Sequence, residues 1–184
     1  MIYPVVAYGM SVLKKKCAEI SKSDKSLDLK KLSEDMFETM YAADGVGLAA
    51  PQINIPIQIF VVDGTPMVEE GEKDFKHVFI NPVMVEEYGK RWKYEEGCLS
   101  IPNIREEVER FDTIKIRYYD IDWKEHEVVL QGIKARIVQH EYDHLQGVLF
   151  TDYLSGFKKR LLKGRLAKIS KGSIFAEYKM LFPT

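Results

Sequence analysis

The sequence predicts an α+β fold in which largely antiparallel β-sheets surround a central helix carrying His140-Glu-Tyr-Asp-His144, with another helix near the N-terminus. Three observations lead there. Apolar residues recur at spacings of three and four in two separate segments, as a helix with one buried face requires. Between them lie short runs rich in β-branched and aromatic residues, bounded by turn dipeptides. These runs follow one another without helical spacers, which favours antiparallel pairing over parallel crossovers.

The first periodic segment places Leu29, Leu32, Met36, Phe37, Met40 and Tyr41 on one face of a helix over about residues 26–42. Ser26 is its predicted cap and Gly45 lies just past its end. Gly45-Val-Gly-Leu-Ala-Ala-Pro-Gln52 then breaks the pattern, because two glycines and a proline do not suit a helix interior. Segments 57–62, 78–80, 83–86, 114–119 and 127–130 are the predicted strands, with turn signals at Asp63-Gly64, Asn81-Pro82 and Tyr88-Gly89. The next helix starts after Gly132, buries Ile133, Ile137, Val138, Tyr142 and Leu145, and ends at Gly147. In segment 155–172, Lys158, Lys159, Arg160, Lys163, Arg165, Lys168 and Lys171 interleave with Leu161, Leu162, Leu166 and Ile169. Gly164, Ser170, Gly172 and Ser173 interrupt that stretch, so it reads as a helix to about residue 168 followed by an extended end.

At 184 residues the chain is read as a single domain, residues 1–184, with a basic C-terminal segment. Apolar residues at 46% and charged residues at 30% argue against disorder as the main state. The 27 basic and 28 acidic residues nearly cancel, so global charge selects no polyanionic partner. No apolar run approaches the roughly 18–20 residues of a membrane span. Lys14, Lys15 and Lys16 follow a short mixed stretch instead of preceding an apolar one, which does not fit a signal peptide, and a cytoplasmic protein without a membrane partner is expected. Cys17 and Cys98 are too few for a disulfide framework and fit a reducing compartment with no disulfide partner; Cys17 reads as a buried thiol.

His140 and His144 are one turn apart on the predicted helix, so both imidazoles project from one face and can share a metal. Glu141, about 100° around the helix, can then serve as general base toward a water in the open position. The alternative is an ordinary pair of helical histidines, one in the core and one solvated. Catalytic sites of this kind use three protein ligands. His77 and His126 lie in strand-like segments without companion ligands, and Glu177 is the one downstream glutamate. Cys98 is better placed, between Gly97, which removes bulk beside the thiol, and Pro102, which stiffens the exit; the alternative is a buried cysteine at a strand end. A thiolate ligand suits Fe(II), Ni(II), Co(II) or Zn(II) over Mg(II) or Ca(II). The loop from Gly45 to Gln52 can let a substrate backbone approach, and the Gln52 amide can donate to an oxyanion; a helix C-cap followed by a turn is the other reading.

Gly45-Val-Gly-Leu-Ala-Ala-Pro-Gln52, Glu96-Gly-Cys-Leu-Ser100 and Gln139-His-Glu-Tyr-Asp-His144 resemble, in order and spacing, the three signature motifs of peptide deformylases. The resemblance implies metal-dependent hydrolysis of the N-formyl group from the initiator methionine of nascent peptides, with release of formate. It makes Cys98, His140 and His144 the metal ligands, with Fe(II) the usual native ion, and Glu141 the acid/base. It makes Gln52 and the Leu99 N–H the oxyanion donors, and Gly47 the position that binds the substrate as an added strand. Val46, Ile133 and Ile137 match the walls of the methionine pocket, and Gly45, Gly97, Arg105 and Arg136 complete the substrate-binding candidates.

Arg136 departs from the apolar residue that many deformylases carry there. Its stem could line the pocket while the guanidinium reaches solvent, it could contact the substrate's later residues, or it could be surface. Arg105 is either close to substrate or a solvated strand residue, and Glu96–Arg110 is either a buttress for the Cys98 loop or a surface ion pair. The basic C-terminal segment departs from the long helix of the best-known deformylases; it could contact ribosomal RNA or be a solvated helix face. Two competing readings are a zinc endopeptidase and a catalytically silent ribosome-associated protein. The Cys98 context disfavours the first, and the presence of Glu141, Cys98 and Gln52 disfavours the second.

Overall fold

The computed structural model describes residues 1–68 and 74–184. In chain order its elements are β1 (Val5–Val6), α1 (Leu29–Ala42), β2 (Gly47–Ala49), β3 (Ile59–Asp63), β4 (Lys76–Cys98), β5 (Ile101–Tyr119), β6 (Glu125–Gln131), α2 (Gly132–Leu145), α3 (Gly156–Ser170) and β7 (Met180–Leu181), with short 3-10 turns between some of them. Five strands form one antiparallel sheet in the order β2-β3-β4-β5-β6, and β1 pairs in parallel with β7. The fold is thus α+β with a largely antiparallel sheet.

Helix α1 buries Leu32, Met36 and Met40. Its cap is Asp28, whose side chain accepts the Lys31 N–H at 3.0 Å, not Ser26 as the sequence suggested. Asp28 stands immediately before the first apolar position, where a capping carboxylate can reach the free N–H groups of the first turn. Met36, Met40, Leu48, Ile53, Ile59 and Val61 share one cluster, which fixes the loop after α1 against β3.

Two expected turns are absent. Asn81-Pro82 and Tyr88-Gly89 both lie inside β4, at register shifts between Ile80 and Val83 and between Tyr88 and Arg91. Asn81 (φ 46°) bonds the Ile20 N–H and carbonyl through its side chain, and Gly89 has φ 88°. A bulge uses the same left-handed residues as a turn but lets the strand continue, so segments 78–80 and 83–86 are one strand. Strand β5 begins well before the predicted segment 114–119, because charges mask the alternation over 101–113; Ile104 and Val108 are buried while Arg105, Glu107 and Glu109 are exposed.

Helix α2 packs against β2, β3, β5 and β6. Its end is set by Gly147 (φ 74°): the Gly147 N–H bonds the His144 carbonyl at 3.2 Å, and the Val148 N–H bonds the Asp143 carbonyl at 2.9 Å. That is the Schellman arrangement, and it closes the turn that carries His144. A Cβ at Gly147 would stand 2.7 Å from the Lys14 backbone carbonyl. Gly147→Ala is therefore expected to cost about 2–4 kcal/mol, from left-handed strain and overpacking, read as a lower midpoint in thermal unfolding.

Helix α3 runs to Ser170 and the chain then extends to β7, as the glycine and serine pattern predicted. Leu162, Leu166 and Ile169 face the cluster that also holds Ile101 and Ile104. The chain's last residues are thereby brought back beside its first strand.

Candidate metal centre and substrate cleft

Successive turns of α2 place the His140 and His144 rings with centroids 5.0 Å apart. Cys98 ends β4 and stands opposite Ile101 across a two-residue turn into β5. The Cys98 Sγ, His140 and His144 donor atoms all lie within 4.8 Å of one another, with Sγ 3.3 Å from His144 Nε2. Donors on a tetrahedral ion at about 2.0–2.3 Å are roughly 3.5 Å apart, so the three side chains fit one divalent metal. The His140 ring is oriented for it. His140 Nδ1 donates to Glu96 Oε1 at 2.8 Å, which leaves Nε2 for a metal. No other His, Cys, Asp or Glu grouping of this kind occurs among the described residues.

Glu96 is the hub behind this centre. Besides His140, its carboxylate accepts Arg110 Nε at 2.8 Å, Arg110 Nη2 at 3.1 Å and Arg136 Nη1 at 2.8 Å. The Glu96 and Arg110 side chains are only 4% and 3% exposed. Burial alone would raise the Glu96 carboxyl, but the hydrogen bonds from His140 and Arg110 outweigh it and hold the group well below the usual carboxylate range. Glu96 is thus a fixed anion among cations. Arg110 also pairs with Asp143 at 2.8 Å, and Asp143 accepts the Tyr153 hydroxyl at 2.7 Å, which ties the β-hairpin to α2 between the two histidines.

Arg136 does not reach solvent, although it lines the cleft. Only 2% exposed, its guanidinium turns inward onto Glu96, the Val108 carbonyl (2.9 Å) and the Trp92 carbonyl (2.8 Å). The reason is electrostatic, since the Glu96 carboxylate and two strand carbonyls lie within reach of its planar donors. The Trp92 ring covers it, 4.7 Å from guanidinium carbon to ring centroid. Glu96–Arg110 is likewise a buried pair and not a surface one.

Glu141 is buried, and its Oε2 has no hydrogen-bond partner among the described residues. Burial pushes its carboxyl up to about 7, opposed by the His140 ring and assisted by the negative charges of Glu96 and Asp143. Such a carboxyl can take and return a proton near neutrality. Gly47 makes room for it: a Cβ there would sit 2.7 Å from the Glu141 carboxyl carbon. Gln52 is 1% exposed, with Oε1 accepting the Ala49 N–H at 2.9 Å. Its Nε2 therefore points the other way, toward Ser100 Oγ (3.2 Å) and Cys98 Sγ (3.5 Å).

These groups open into a cleft of about 600 Å³. Gly45, Val46, Gly47, Gln52, Gly97, Cys98, Leu99, Ile133, Arg136, Ile137, His140 and Glu141 all line it, which unites three distant sequence segments. Arg105 also lines it, exposed and paired with Glu95 at 3.2 Å. His77 and His126 lie elsewhere, the first against Phe75 and the second bonded to Asp120 at 2.6 Å. Glu177 borders the cleft but does not join the donor group.

Sequence reasoning missed Asp143, Ser100 and Tyr178 as parts of this site. Asp143 stood inside the His140–His144 motif and could have been found there. Tyr178, whose hydroxyl donates to the Leu99 carbonyl at 2.7 Å, gave no local signal.

Residues 2–160 match the family described as polypeptide deformylase. A peptide deformylase from Cytophaga hutchinsonii is 55% identical over 183 residues, covering 100% of this chain and 98% of that protein. A solved Plasmodium falciparum peptide deformylase superposes with a TM-score of 0.81 at 37% identity, covering 91% of this chain and 95% of that one. A class I type b peptide deformylase from Acinetobacter baumannii, solved with Met-Ala-Ser bound, gives 0.77 at 36% identity, covering 84% and 99%.

Proposed function

Since the chain belongs to the peptide deformylase family, and is an enzyme that removes the N-formyl group from the initiator methionine of nascent polypeptides, we propose that Cys98, His140 and His144 hold its metal and that Glu141, Gln52 and Leu99 carry out the chemistry. The convergence of one thiolate and two imidazoles beside a buried, partnerless carboxylate oxygen is the observation that supports this most directly. The donor set suits Fe(II), the family's usual ion, with Zn(II), Ni(II) and Co(II) as substitutes. Held by Cys98, His140 and His144, the metal would supply the Lewis acidity that makes a water nucleophilic at neutral pH.

The protein's own groups do the rest. Glu141 Oε2 takes a proton from the attacking water and returns it to the leaving amine nitrogen. Gln52 Nε2 and the Leu99 N–H donate to the oxygen that becomes an oxyanion when the formyl carbon turns tetrahedral. Leu99 N–H is available for this, because no acceptor among the described residues takes it. Strand β2 is the outer strand of its sheet, so the peptide can add to its free edge at Gly47. Val46, Ile133 and Ile137 then receive the methionine side chain. A formyl carbon bears only hydrogen, and the confined site accepts it while refusing the bulkier acyl carbon of an internal peptide bond.

Among the described residues no helix is long and apolar enough to cross a membrane, and a cytoplasmic, cotranslational role fits. Lys159, Arg160 and Lys163 line one cavity on α3, which supports contact with ribosomal RNA phosphates, a binding that would weaken steeply with salt.

The test is formate release from a formyl-Met tripeptide by enzyme reloaded with Fe(II) or Ni(II) under anoxic conditions. Release is expected from the formyl peptide and not from its acetylated twin. Internal cleavage of an unblocked protein without formate release would favour the endopeptidase instead. Cys98→Ala is expected to lose tightly bound metal, and full metal content by elemental analysis would remove Cys98 from the ligand set.

A further inference from the structure

We propose that Tyr178, in the extended segment after α3, is a positioning residue for the reaction: its bond to the Leu99 carbonyl pins Leu99 within the Cys98–Ile101 turn and so keeps the Leu99 N–H aimed at the formyl oxygen. The inference rests on the oxyanion role proposed for Leu99 and adds a distant part of the chain to it.

Two-residue hairpin turns have a built-in ambiguity. Their forms differ by rotation of the central peptide, which leaves the flanking strands almost unchanged. Here the central peptide joins Leu99 to Ser100 and carries the Leu99 carbonyl. The Leu99 N–H sits on the preceding peptide, across one Cα, so a pinned carbonyl limits how far Leu99 can turn and carry its N–H with it. The far side of the turn is tied down by other bonds. The Ser100 carbonyl accepts the Tyr8 N–H at 2.8 Å, and Ser100 Oγ accepts Gln52 Nε2 at 3.2 Å. Among the described residues the Leu99 carbonyl is held by the Tyr178 hydroxyl alone, at 2.7 Å.

Tyr178 is itself well anchored. Just before it, the Phe175 carbonyl accepts Asn103 Nδ2 at 2.9 Å; just after it, β7 pairs with β1. Ile174, Met180 and Phe182 pack on the same core cluster as Ile101 and Ile104, directly beyond the turn. Burial, with the negative charge of Cys98 nearby, pushes the Tyr178 hydroxyl above its ordinary range, so it remains a donor at neutral pH. The segment lines the catalytic cleft at Phe175, Ala176, Glu177 and Tyr178. Its place there is a consequence of the chain end returning past the metal ligand loop.

Tyr178→Phe removes the hydroxyl and keeps the ring. The variant, loaded with the same metal as the parent, is assayed on a formyl-Met tripeptide, with thermal unfolding and metal content measured on the same samples. The expected result is a fall in kcat of about fivefold to tenfold, as for a modestly misaimed catalytic group, with KM within twofold and unchanged unfolding midpoint and metal content. A kcat within 1.5-fold of the parent overturns the proposal. So does a loss confined to KM, which would make Tyr178 a wall for the peptide, or a loss that tracks metal content or unfolding, which would make it ordinary packing. An inactive parent overturns the assigned chemistry as a whole, whereas a fully active variant overturns the positioning role alone.

Discussion

Glu141→Gln is expected to retain its metal and to lose about a thousandfold in kcat, within the range of roughly 10²–10⁴ that general acid–base groups contribute. Gln preserves the volume beside Gly47, where the carboxyl fits with no room for a Cβ, so the comparison isolates the proton-accepting oxygen. The proposed ligands His140 and His144 lie on either side of Glu141 in sequence but point from a different face of α2, which is why the substitution should spare them. Two measurements decide it: metal per protein and kcat on the formyl peptide. Retention of a tenth or more of the parent's turnover would assign the proton transfer elsewhere.

Glu96→Gln has the largest expected effect on the scaffold. The carboxylate pairs with two buried guanidiniums, Arg136 and the Arg110 that it shares with Asp143, and fixes the His140 ring. Removing one partner of a buried ionic cluster leaves a buried charge uncompensated, here that of Arg136, whereas Arg110 keeps Asp143, at a cost of about 3–5 kcal/mol. The neutral amide can still accept one or two hydrogen bonds, but it offers no charge to the two arginines. Loss of the carboxylate behind a metal-binding histidine weakens metal affinity by about 10–100-fold. The variant should therefore unfold at a lower denaturant concentration and yield its metal sooner to a chelator. A destabilised variant with parental metal affinity would mean that His140 is oriented by its helix alone.

The parts of the site visible in the sequence are those set by local geometry. His140 and His144 stand four residues apart on a helix, and that spacing alone brings their rings together. Cys98 and Gln52 were visible because glycine and proline beside them mark loops that approach something closely. What escaped depends on pairing across long stretches of chain. The inward turn of Arg136 requires knowing that β4 and β5 bring Glu96, Trp92 and Val108 around it. Tyr178 lies 79 residues from its partner, and no periodicity near it foretells the contact. Asn81-Pro82 and Tyr88-Gly89 show a different limit: a left-handed residue announces a departure from regular strand, but a bulge and a turn share that signal. The alternating burial of β5 was hidden because one face carries charges that read as loop.

The free edge of β2 has a bearing on timing. A peptide that adds to a sheet edge must itself be extended, with its backbone N–H and carbonyl groups unclaimed. An N-terminus already wound into a helix or paired in a hairpin cannot present them without first unfolding. On the proposed binding mode, the enzyme is thus in a race with the folding of its own substrates, and proteins whose first residues are buried early have the shortest interval in which to be processed.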